Sequence, residues 1–152
     1  MIINGPGSEQ AETILFERTY NVPPERVFAA WTEPALLKQW WGPPGSIVEV
    51  AEVDLRVGGR YRLGIQRGPQ AVYYVTGVYQ AVQPPDKLVF TWRWENPEMD
   101  VGRSLVTIEL RPNGHKTDLR LTHEQLPTEE ARRSHAEGWA GILEVLDKFL
   151  AG

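Results

Sequence analysis

The last quarter of the chain carries its strongest structural constraint. Trp139, Ile142, Leu143, Leu146, Phe149 and Leu150 recur at helical spacing, as one apolar stripe on a 3.6-residue period requires. Pro127-Thr128-Glu129-Glu130 precedes them as a helix start, with Thr128 as cap and two acids suited to the helix dipole. The spacing predicts one helix of about 22 residues, roughly 33 Å long. Most of the remaining chain reads as strands, so this helix is the one element large enough to cover a sheet.

The strands are legible from their period and from the turns between them. The reading gives strands over 13–20, 47–54, 60–66, 72–82, 88–95, 103–111 and 116–124. Asn113-Gly114 is the strongest hairpin signal; Gly58-Gly59, Gly68-Pro69-Gln70 and Pro84-Pro85-Asp86 mark other turns. Two short helices follow the first strand. Pro23-Pro24 opens one with Val27, Phe28 and Trp31 on its apolar face, and Thr32 is read as the cap of the next, which carries Leu36, Leu37 and Trp40. Residues 1–12 read as a flexible lead-in and 13–152 as a single domain. The predicted class is α+β: a curved antiparallel sheet of about six to seven strands around the long helix.

Composition removes several functions. The chain has no cysteine, which excludes disulfides, thiol nucleophiles and thiolate metal sites. Its net charge is −4 with no basic run beyond Arg132-Arg133, so nucleic acid is not an expected partner. No run of apolar residues is long enough to span a membrane. The N-terminus has no basic segment followed by a long apolar one, so no secretory signal is expected and the expected compartment is the cytoplasm.

One ordered series of motifs covers nearly the whole chain from Thr13 onward. It runs Pro24-Glu25-Arg26-Val27-Phe28-Ala29-Ala30-Trp31-Thr32, Trp40-Trp41-Gly42-Pro43, and Asp54-Leu55-Arg56-Val57-Gly58-Gly59-Arg60-Tyr61. It closes with Leu88-Val89-Phe90-Thr91-Trp92 and His135-Ala136-Glu137-Gly138-Trp139. The series resembles the small bacterial branch of the activator of heat-shock protein 90 ATPase homologues, within the START/Bet v 1-like (SRPBCC) superfamily. The resemblance implies the helix-grip fold, with a cavity between sheet and C-terminal helix that holds hydrophobic ligands in many relatives. Lipid carriers and polyketide cyclases share that superfamily, and a chaperone partner belongs to the name of the branch, so the resemblance narrows fold more than activity.

The residues themselves nominate a site. Period two turns Leu119, Leu121 and His123 to one face, where a buried imidazole can orient a ligand or act as a general base. His135 lies one helical turn before Trp139. Six tryptophans are present, and rigid rings suit either a core or a flat-walled pocket. Tyr61 and Tyr74 are read as inward polar handles. The expected cavity is lined by Phe28, Trp40, Tyr61, Tyr74, Trp92, Trp139 and Leu143, with Trp94, His123, His135 and Ile142 completing the candidate ligand site. Glu17, Glu49, Glu52 and Glu95 read as outer-face or rim acids, with Glu95, near the cavity end, left open as an exception; Gly138 and Gly141 mark either close packing or room for a ligand. No nucleotide-binding loop, serine-nucleophile motif or local metal-ligand spacing is present, and no cofactor is expected.

Three functions follow as expectations. The leading one is binding of a hydrophobic or aromatic small molecule. The alternatives are a cyclase- or hydrolase-type enzyme with His123 as base, and an adaptor docking on a chaperone or other protein through its outer sheet. Self-association as a homodimer stays open.

Overall fold

The structure, a computed structural model, describes residues 13–66, 69 and 72–151. The 1–12 lead-in and most of the 68–70 turn lie outside the described residues. In chain order the elements are β1 (Ile14–Tyr20), α1 (Pro24–Thr32), α2 (Pro34–Trp40), β2 (Ile47–Val53), β3 (Arg60–Gln66) and β4 (Val72–Gln83). They continue with β5 (Lys87–Trp94), β6 (Ser104–Asn113), β7 (Lys116–Glu124) and α3 (Glu129–Ala151). One seven-stranded sheet has the order β1-β7-β6-β5-β4-β3-β2, with every neighbouring pair antiparallel. This is the predicted helix-grip class.

Local chemistry accounts for most boundaries. Gly114 has φ 62° and takes the first position of the two-residue loop joining β6 to β7, where a hairpin favours glycine. Thr128 Oγ1 accepts a bond from the Ala131 amide at 3.0 Å, the cap predicted for α3. Thr32 is a correction. It ends α1 and donates Oγ1–H to the Phe28 carbonyl at 2.8 Å, while Glu33 precedes Pro34 at the start of α2 without a side-chain cap. Proline at the first position supplies the fixed φ, so a threonine cap is not required there.

The core lies between the sheet and the helices. Leu88, Ile108, Leu119, Leu121, Leu143, Leu146 and Trp139 are almost wholly buried in it. Bulges in β2 (between Val48 and Val50) and β4 (between Tyr79 and Ala81) bend and twist these strands locally.

Candidate functional site

Five of the six tryptophans divide by what their indole N–H groups find. Trp40 donates to the Ala30 carbonyl at 2.9 Å, a bond that ties α2 to α1. Trp94 donates to His135 Nε2 at 3.1 Å, and Trp139 to His123 Nδ1 at 3.0 Å. Trp31 and Trp92 have buried Nε1–H groups with no hydrogen-bond acceptor among the described residues. A buried donor left unpaired costs about 1–3 kcal/mol.

The two histidine contacts fix proton positions, because an indole N–H only donates. His123 Nδ1 must accept, so its proton sits on Nε2 and points to Ser104 Oγ at 2.7 Å. Ser104 passes its own proton to the Trp92 carbonyl at 3.3 Å. His135 accepts at Nε2 and donates Nδ1–H to the Ala131 carbonyl at 2.8 Å. The rings of His123 and His135 stand edge to face, 5.3 Å apart. Burial, and secondarily the neighbouring His135, pull His123 down to about 3; burial also lowers His135.

A serine–histidine contact of 2.7 Å has the spacing of a nucleophile–base pair, but its polarity is reversed. A base needs its lone pair toward the hydroxyl, whereas Trp139 holds the lone pair on the opposite nitrogen. His123 is also 0% exposed. The arrangement serves as a sealed polar clasp between β6, β7 and α3.

Around Trp139 the expected space is filled. Its ring lies 5.1 Å from Trp92, 5.5 Å from Trp41 and 6.0 Å from Trp31. Trp139 is 1% exposed, and Phe28, Trp40, Trp92, Ile142 and Leu143 are buried in the same cluster. A cavity of about 20 Å³ opens instead beneath the short helices. Trp31, Leu37 and Trp41 cover it; Tyr61, Leu63, Tyr79, Leu88 and Phe90 from the sheet, with Val53 beside them, form its floor. Tyr61 is thus the member of the expected lining that borders the cavity. Its hydroxyl donates to the Thr91 carbonyl at 2.6 Å, and burial together with Tyr79 raises the phenol well above its ordinary value. Gly77 makes this crossing feasible, because a β-carbon there would collide with the Thr91 carbonyl and the Tyr61 ring.

Tyr74 is the second correction. It stands on the outer face, opposite Gly64 in the β3–β4 register, with the Arg62 guanidinium 3.9 Å from its ring. Arg62 in turn makes a two-pronged pair with Glu95 at 2.9 Å, which puts Glu95 on the outer face rather than in the cavity. Both faces of β4 are apolar enough to be mistaken for each other; Tyr73, opposite Ile65, and Tyr79 are the tyrosines of β4 that turn inward. Trp41 escapes a helical reading because α2 ends at Trp40, and an extended Trp41 (ψ 137°) swings its ring into the core. Ser104 carries no local signal. It becomes meaningful only when β6 brings it against His123.

The comparisons agree with this architecture. Residues 21–151 match the family described as activator of Hsp90 ATPase homolog 1-like protein. Protein CV1439 of Chromobacterium violaceum is 28% identical with a TM-score of 0.82, over 93% of this chain and 98% of that one. The AHSA1 protein of Silicibacter pomeroyi is 33% identical with a TM-score of 0.81, over 91% and 97%. The Mll3558 protein of Rhizobium loti is 30% identical with a TM-score of 0.72, over 90% and 94%. No curated protein matches the chain. Among the described residues no helix is long and apolar enough to cross a membrane.

Proposed function

This chain belongs to the activator of Hsp90 ATPase homolog 1-like family, and we propose that it binds one apolar or aromatic small molecule that carries a hydrogen-bond acceptor. The observation that carries this reading is Trp31. Its ring forms part of the cavity wall, and its buried indole N–H has no acceptor among the described residues. The surrounding wall is mostly aromatic, which suits a flat apolar molecule.

At about 20 Å³ the cavity has room for little more than a water molecule. Binding therefore requires the cover to move. Leu37 lies in α2 and Trp41 directly follows it, and α2 packs on β2 at the edge of the sheet. That is a more yielding support than the interior strands that hold Trp139, because an edge strand has one hydrogen-bonded neighbour. Binding is favoured over turnover by the His123 clasp, whose basic nitrogen is occupied and sealed from any substrate.

Quinoline and naphthalene test the reading, since they share a shape and differ by one acceptor. Calorimetric or fluorescence titration should show quinoline binding about fivefold more tightly, equivalent to about 1 kcal/mol for one hydrogen bond. Trp31→Phe should erase that preference. Equal affinities for the two probes in the native protein, or no binding of either, would overturn the proposal. Native mass spectrometry of freshly purified protein adds the mass of any ligand carried through purification.

A further inference from the structure

The outer face of the sheet carries an alternating row of charge. Strand registers align Glu17 of β1 with Arg120 of β7, Arg120 with Glu109 of β6, and Glu109 with Lys87 of β5. All four alternate with buried core residues, so they share the face away from the helices. Across the sheet the signs read minus, plus, minus, plus. One row further along, Asp118 of β7 opposes Arg111 of β6. On the other side lies an uncharged row, Leu15–Thr122–Thr107–Val89, in which Leu15 is 51% exposed.

These rows have a symmetry property. A two-fold axis lying in the face, parallel to the strands and between β6 and β7, carries β7 onto β6 and β1 onto β5. It sets Glu17 against the second copy's Lys87, Arg120 against its Glu109, and Asp118 against its Arg111. The uncharged row meets itself with Leu15 against Val89 and Thr122 against Thr107. Every charged contact is between opposite signs, and each occurs twice. An axis turned to run across the strands would instead set each charged residue against its own copy.

We propose that this face pairs with a second copy of the chain, forming a two-fold dimer of outward sheet faces. Aligned sheet packing accommodates the geometry, with sheets about 10 Å apart and strands about 30° from parallel. A groove of about 740 Å³ lies over these charged rows, and the long side chains of the second copy enter it. Within one chain, Arg120 reaches Glu17 at 3.4 Å; among the described residues no ion pair engages Lys87, Glu109 or Arg111. They are available to a partner of matching pattern. The dimer is independent of the small-molecule reading, since it uses the opposite face.

Sedimentation velocity tests it, using Glu109→Arg, Arg120→Glu and the double variant. The native chain should dimerise at low ionic strength and dissociate near 1 M salt, where screening acts within about 3 Å. Each single reversal should weaken the dimer at least tenfold by placing like charges across the axis. The double variant should restore it, because the pattern is again complementary. Circular dichroism melts establish that all variants are folded. A native chain that stays monomeric at low salt, or a dimer indifferent to the single reversals, overturns the proposal. A double variant that remains as weak as the singles also overturns it.

Discussion

Trp139 Nε1 donates to His123 Nδ1 at 3.0 Å, and this contact decides what the histidine can do. The indole fixes the imidazole as its Nε2–H tautomer. Protonating His123 would set N–H against N–H inside the core.

Acid stability should reflect that. An unfolded histidine takes up a proton near pH 6.5, whereas folded His123 resists until about 3. Between those values the unfolded state binds more protons, so stability is greatest above pH 6.5 and falls as pH drops toward 3. The slope from this group is about 1.4 kcal/mol per pH unit. Urea melts at pH 6, 5 and 4 should fall more steeply for the native chain than for His123→Gln. Parallel slopes would show that His123 is not held neutral.

Trp139→Ala should destabilise the fold by about 3–5 kcal/mol. Three neighbouring tryptophan rings pack around Trp139, and His123 would lose its donor. Urea denaturation measures this directly. A loss below about 2 kcal/mol would mean that the surrounding rings collapse into the vacancy or that one ring face borders open space.

The paired glycines of α3 should separate. A β-carbon at Gly138 meets nothing within 4 Å, whereas at Gly141 it comes to 3.2 Å from Pro44 Cδ. Gly138→Ala should therefore stabilise by up to about 1 kcal/mol through helix propensity. Gly141→Ala should gain less or lose, because Pro44 must give way. Thermal melts that rank them in the opposite order would contradict this packing.

Gly77→Ala should be among the most damaging single-methyl changes in the sheet. The added carbon would overlap the Thr91 carbonyl, which accepts the Tyr61 hydroxyl bond. Backbone shifts in a packed core are expensive, and a loss of about 3 kcal/mol or more is expected. A denaturation midpoint near the native value would show that β4 and β5 are further apart than described.

The sequence by itself determined the element order, the cap on α3, the β6–β7 hairpin and the inward phase of β3, β5 and β7. Each rests on a local period or a turn residue, and one face of each strand is plainly more apolar. Those signals need no knowledge of neighbours. Tertiary structure decided the rest. The phase of β4 came from its register against Gly64 and Tyr61, because Val72, Tyr73, Tyr74 and Val75 offer apolar side chains to both faces. The place of the cavity came from ring volumes: Trp41 swings in beyond the end of α2, the rings meet around Trp139, and the vacancy is left under Trp31. The roles of His123 and Ser104 came from α3 and β6 arriving from distant parts of the chain. A histidine's tautomer is set by the donor that reaches it, and no spacing along the chain records which indole that will be.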